Sequence, residues 1–169
     1  MRWWVLVLLS ACGRIGFDAI DSTLVADAAP IECPASYMTL GDGCYRFVEN
    51  SNQFDWAINE AVCEADAPTA HLIVIDDQAE LQVVLELLED SSTADVAVGF
   101  SDRIVEGDYR TVTGKIAFIE FASNEPDGAG EDCGGVDRGG VVGMEDINCG
   151  NANDFICEVD GDAADPSAF

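Results

Sequence analysis

Seven cysteines, at positions 12, 33, 44, 63, 133, 149 and 157, constrain this 169-residue chain more than any other feature. Cys12 stands apart, directly behind an apolar run, and the other six form an even set. In an exported chain such a set implies a disulfide framework, because oxidising compartments let thiols pair. Six cysteines allow fifteen connectivities, and spacing alone does not choose among them. No Cys-x-x-Cys pair occurs and His71 is the single histidine. Both facts argue against a Cys/His zinc site and against a thioredoxin-type redox pair.

The chain opens with Met1-Arg2, then the unbroken apolar run Trp3 to Leu9, then Ser10-Ala11-Cys12. A membrane-spanning helix needs roughly 20 apolar residues, so this run is too short to cross. It reads as a short export signal that ends in small residues. Leu9-Ser10-Ala11-Cys12 resembles the bacterial lipoprotein box. That resemblance implies a signal peptide over residues 1–11 and lipidation of Cys12 as the first mature residue. Gly13, where Asp would favour inner-membrane retention, implies an outer-membrane or cell-surface location. Residues 12–32 then form a lipid-anchored flexible tether that holds a domain off the membrane. A secreted protein cut near the same place is the alternative.

Charge narrows the partners. Asp and Glu total 33 against 7 Lys and Arg, a net −26. Phosphates are repelled by such a surface, which excludes nucleic acid as a partner. Divalent cations are attracted. Hydrophobic residues make up 49% of the chain, enough to build a core. No Gly-x-Ser-x-Gly elbow, P-loop or His-Glu-x-x-His is present, so nothing points to an enzyme. His71, at the mouth of the apolar run Leu72 to Ile75, reads as the edge residue of a strand rather than a catalytic base.

The compact part spans 33–159, with a disordered tail expected over 160–169. Phe54, Ala57, Ile58, Ala61 and Val62 keep helical spacing, which predicts a helix over about 52–64 with Asn52 as N-cap. Leu81, Val84, Leu85 and Leu88 predict a second helix over about 78–89. Cys44 to Val48, Leu72 to Ile75, Val96 to Phe100 and Phe155 to Val159 read as strands. Between 101 and 153 the chain is rich in Gly, Asp and Glu with little regular period. Long irregular stretches within a compact domain are usually functional. Gly134-Gly135 and Gly139-Gly140 read there as turns, and Trp56, Phe118 and Phe121 as core. The fold class is α+β, with two helices, small antiparallel sheets and a long irregular loop region.

This layout resembles the C-type lectin-like domain in its long, three-disulfide form, over nearly all of 33–159. The resemblance rests on Trp56-x3-Glu60-x2-Cys63, Ala97-Val98-Gly99-Phe100, Glu106-Gly107 and Val112-Thr113-Gly114. It continues through Asn124-Glu125-Pro126-Asp127, Glu131-Asp132-Cys133, Met144-Glu145-Asp146-Ile147-Asn148-Cys149 and Phe155-Ile156-Cys157-Glu158. It implies the pairs Cys33–Cys44, Cys63–Cys157 and Cys133–Cys149, and places Phe121 near a family Trp that anchors the long loop.

Glu125, Asp127, Glu131, Asp132, Glu145 and Asp146 fall within 22 residues, and acids gathered in a fold repel one another unless a cation neutralises them. Calcium takes six to eight oxygen ligands, which carboxylates supply. The resemblance puts Glu125, Asp127, Glu131, Glu145 and Asp146 on primary calcium-ligand positions, with a cis Glu125–Pro126 bond. It also assigns Asp102, Glu106 and Asp132, with Glu131, to a second calcium, although Gly128 stands where an acid is expected. Sugar-binding members carry amides where Asp127 and Glu145 stand. Carboxylates only accept hydrogen bonds, so two donors, each worth roughly 0.5–1.5 kcal/mol, are lost. Calcium is retained or strengthened while mannose- or galactose-type recognition is weakened. The expected protein is a calcium-binding surface module that recognises a glycan or a protein ligand. A calcium-independent interaction or structural module is the alternative.

Overall fold

A computed structural model describes residues 32–41, 43–89, 95–139 and 142–169. Cys12, the expected signal peptide and nearly all of the expected tether lie outside them. Among the described residues, eight strands and two helices follow in the order β1 (Met38–Leu40), β2 (Gly43–Val48), α1 (Trp56–Glu64), β3 (Ala70–Leu72) and α2 (Gln78–Leu87). Then come β4 (Asp95–Ser101), β5 (Arg110–Thr111), β6 (Cys133–Asp137), β7 (Gly143–Ile147) and β8 (Asp154–Val159). Their ladders join as β1-β2-β8-β4-β6-β7, with β3 added to β8 and β5 to β4. All pairs are antiparallel except β4 with β8, which run parallel. One mixed sheet therefore replaces the small antiparallel sheets expected from the sequence.

The central strands are apolar on both faces, and the two-residue strand period sorts them into two cores. Phe155, Cys157 and Val159 of β8 join Ala97 and Leu72 in a core around Trp56 and Cys63 of α1. Ile156 of β8 joins Val96, Val98 and Phe100 of β4 against Leu81, Val84 and Leu88 at α2. Three disulfides close the frame, Cys33–Cys44, Cys63–Cys157 and Cys133–Cys149, the pairs the resemblance implies.

Helix α1 differs from its sequence pattern in start and in face. Its N-cap is Asp55, whose side chain accepts the Ile58 amide at 2.9 Å, and Asn52 lies before it. The apolar stripe that announced the helix faces largely outward, with Ala57, Ile58 and Ala61 exposed. Trp56, Asn59, Glu60 and Cys63 are buried instead. Specific bonds select that face: Trp56 Nε1 donates to the Val98 carbonyl at 2.8 Å, and Cys63 is bridged to β8. The run Leu72 to Ile75 is buried throughout, yet its ladder ends at Leu72. Beyond it, Ile73 donates to the Ile156 carbonyl and accepts from the Gly99 amide.

Gly134 and Gly135 lie within β6, not in turns. A Cβ at Gly134 would stand 2.4 Å from the Phe100 ring, so only glycine lets β6 approach β4. Residues 160–169, expected as a disordered tail, return across the domain. Asp165 N donates to the Val112 carbonyl at 2.7 Å, Lys115 pairs with Asp162, and the Phe169 ring packs edge-on against Trp56 at 5.6 Å. The segment is polar and short, and its partners lie far away along the chain, so local composition carries no sign of them.

Candidate metal centre

The long loop meets the sheet at β7. Ladder pairing sets Asp146 opposite Gly134 and Glu145 opposite Gly135, and Cys133–Cys149 ties the start of β6 to the turn after β7. The loop reaches Asp146 through its own backbone bonds: Ala122 N donates to the Met144 carbonyl at 2.8 Å, and Glu125 N to the Ala122 carbonyl at 3.1 Å. The Glu125–Pro126 bond is cis. Asp127 N then donates to Asp146 Oδ1 at 3.2 Å.

This geometry brings three of the five expected primary ligands together. One carboxylate oxygen from each of Glu125, Asp127 and Asp146 lies within 4.8 Å of the others. Asp146 is only 6% exposed, and Glu125 and Asp127 sit over it toward solvent. Glu131 borders the trio. Partial burial, then the charges of Asp146 and Asp127, push its carboxyl upward from the ordinary Glu range. Glu125 is raised likewise, by desolvation and then by Asp146, Asp127 and Glu131. Glu131 also fills the space above Gly128, where a Cβ would stand 1.9 Å from Glu131 Oε2.

Glu145 is not one of the trio. Successive strand residues point to opposite faces, and burial, then Asp95 and Asp137, and only then Glu125 and Glu131, push its carboxyl up to about 7. Asp95 and Asp137 face each other in the β4–β6 register. Nothing local predicts that pairing, because the two residues meet only through the sheet.

Asp102, Glu106 and Asp132 do not close to 4.8 Å as a trio of ligand atoms. They gather instead around Tyr109, whose hydroxyl is raised to about 12 by burial and then by Asp102, Asp146, Glu106 and Asp132. Tyr109 is a member of this region that sequence reasoning missed, and its edge-on contacts with Phe100 and Phe121 fix its position. Asp102 is 4% exposed. One oxygen accepts the Gly107 amide at 2.7 Å, while Oδ1 has no partner.

The donor atoms on this face are carboxylate oxygens, the hard ligands that calcium prefers. A buried acid beneath two others, and an orphaned buried oxygen nearby, are both arrangements that a divalent cation relieves. The residues present fit such an ion.

Fold and site together define an α+β binding domain, stapled by three disulfides, with an acid-lined irregular loop above one end of its sheet. The profile of the Lectin C-type domain matches residues 52–159, and the chain belongs to that family. It is 29% identical over 143 residues to Echinoidin of Heliocidaris crassispina, covering 75% of this chain and 96% of that protein. It is 29% identical to the Hemolymph lipopolysaccharide-binding protein of Periplaneta americana, covering 89% of this chain and 63% of the relative. Among solved structures, the human Scavenger Receptor C-type Lectin carbohydrate-recognition domain superposes with a TM-score of 0.63 at 26% identity, over 76% of this chain and 99% of that one. A calcium-independent type II antifreeze protein shares the fold alone, with a TM-score of 0.63 at 20% identity, over 79% of this chain and 96% of that one.

Proposed function

We propose that this chain is a calcium-binding recognition module that engages a glycan or a protein ligand at its long loop, without catalysis. The single observation that carries the reading is the convergence of Glu125, Asp127 and the buried Asp146 on one centre, with Glu131 beside them. Calcium bound there neutralises the crowded acids and offers coordination positions to ligand oxygens. The unpartnered Asp102 Oδ1 supports a second ion near Glu106 and Asp132. The family supports a binding module over an enzyme, and the relatives include proteins named for carbohydrate recognition and for lipopolysaccharide binding.

Calcium titrated into metal-free protein raises the melting temperature, by a stabilisation of about 2.7 kcal/mol at a hundredfold excess over Kd. Asp146→Asn keeps the acceptor for the Asp127 amide but removes the buried charge. It therefore raises metal-free stability and shrinks the calcium increment. No calcium response in the unmodified chain removes the metal from the reading.

A calcium-independent protein-interaction module that has lost sugar binding is favoured by one observation: Asp127 and Glu145 supply only acceptors where amide donors serve a sugar. A glycan array probed with and without chelator separates the two, since chelator-sensitive binding requires the metal. The anchoring of the module through Cys12 rests on residues 3–12 alone. The relatives named above are eukaryotic and lend a bacterial lipoprotein no support. Metabolic labelling with a fatty acid, lost on Cys12→Ala, decides between an anchored and a secreted module.

A further inference from the structure

On the sheet edge that carries β3, a different set of ligands meets. The β3–β8 register sets His71 directly opposite Glu158, and Asp160 follows two residues later. His71 is 0% exposed and Glu158 3%. One ligand atom from each of His71, Glu158 and Asp160 lies within 4.8 Å of the others. His71 Nδ1 lies 2.9 Å from the Leu72 carbonyl, which only accepts, so Nδ1 carries a proton. Nε2 then faces Asp160 Oδ1 at 3.1 Å. That same oxygen accepts the Asp162 amide at 2.8 Å, as an ionised carboxylate does. A neutral ring would set lone pair against lone pair there. Something positive must lie between them, either a proton or a metal ion.

Several features favour the metal. A proton shared by His71 and Asp160 serves only those two and leaves Glu158, 3% exposed and part of the same cluster, without a cation. A dication offsets Asp160 and Glu158 together. Glu158 Oε2 accepts the Val74 amide at 3.1 Å and the imidazole is held by a backbone carbonyl, so both side chains are oriented by a supporting shell. A cavity of about 460 Å³, lined by Tyr45, Asp76, Glu80, Glu158 and Asp160, opens onto the cluster and supplies an entry path. Lys115, paired with Asp162, lies near enough to Asp76 and Asp160 to feel their charges. We propose that His71, Glu158 and Asp160 form a site for a borderline divalent cation of the zinc class, separate from the acid cluster of the long loop. One imidazole nitrogen with carboxylates, and a position left open toward a cavity, is a donor set that zinc accepts and calcium does not favour.

The single histidine makes the test direct, because an untagged chain gives one imidazole in a long-range proton–nitrogen NMR spectrum. The metal-stripped full chain, near neutral pH and with excess calcium present to fill the loop, is titrated with zinc chloride. The expected result is a displaced Nε2 resonance that saturates near one equivalent, with Nδ1 still protonated. Asp160→Asn retains the acceptor for Asp162 N while losing the charge. It weakens zinc by at least about tenfold and leaves the calcium response of the melting temperature unchanged. Imidazole signals unmoved by excess zinc overturn the proposal in favour of an imidazolium–carboxylate pair, as does zinc affinity unaltered by Asp160→Asn. Neither outcome bears on calcium at the loop.

Discussion

Glu60 lies 1% exposed on the inner face of α1, with Oε2 accepting the Leu72 amide at 2.7 Å and Oε1 without a hydrogen-bond partner. Burial outweighs the help of that amide and of His71, and carries the carboxyl from 4.5 to about 7. The sign follows directly. Between those values the folded state holds a proton that the unfolded state has released, so stability falls as pH rises through the window. At one pKa unit per 1.36 kcal/mol, Glu60 accounts for at most about 3 kcal/mol of that fall. Glu60→Gln keeps an acceptor for Leu72 N and cannot ionise. Denaturant melts between acid and neutral pH should show a flatter profile for the variant by up to that amount; parallel profiles would mean Glu60 is not the titrating group. Glu60 also shows why residue-scale reading of a sequence is incomplete. Its motif position marks the family, yet only the fold reveals a carboxylate committed to a backbone amide.

At the scale of elements, helix α1 carries the clearest difference between pattern and structure. An amphipathic stripe ordinarily faces the core because burial of apolar surface drives packing. Here Ile58 remains 44% exposed while Asn59 and Glu60 are buried. Directional bonds at Trp56, Glu60 and Cys63 outweigh the small gain from burying two alanines and part of an isoleucine. Asp55 caps the helix, so Asp55→Ala should cost about 1 kcal/mol of stability by urea denaturation, and Asn52→Ala much less. The bridge Cys63–Cys157 spans 94 residues and ties α1 to β8. In the chain-entropy account, replacing both cysteines with alanine lowers stability by about 4–5 kcal/mol. A loss near that of the shorter Cys33–Cys44 bridge would show that the unfolded chain is already constrained there. Strands β6 and β7 were hidden in a Gly- and Asp-rich stretch. Glycine has low strand propensity, and close approach to β4, which favours it here, is not visible along the chain.

Across the whole molecule, residues 160–169 tie distant parts of the domain together. Asp160 closes on His71, Asp162 on Lys115, and Phe169 lies against Trp56 at the centre of one core. Phe169→Ala removes an aromatic pair and part of its burial, and should lower stability by about 1–2 kcal/mol. The near-ultraviolet circular dichroism of the tryptophans should weaken with it. An unchanged spectrum and melting temperature would mean that the segment does not pack in solution. The acid loop and the His71 cluster occupy different parts of the sheet, one above β7 and one at β3, so the two proposed cation sites are tested independently.

Read by itself, the chain was enough to indicate an even set of six cysteines, two helices, the principal strands, the lectin-like class and an acid-rich loop. These are properties of residue type, spacing and period, which survive without knowledge of what lies opposite. Which face of α1 is buried, which acids converge and which turn away, and what residues 160–169 touch were decided only by the tertiary structure. Glu125, Asp127 and Asp146 share a centre because a ladder and a loop turn bring them there, while Glu145, adjacent in sequence, is directed toward Asp95 and Asp137. His71 meets Glu158 through strand register across 87 positions. Such encounters depend on long-range pairing, and local sequence carries no record of the partner a strand will find.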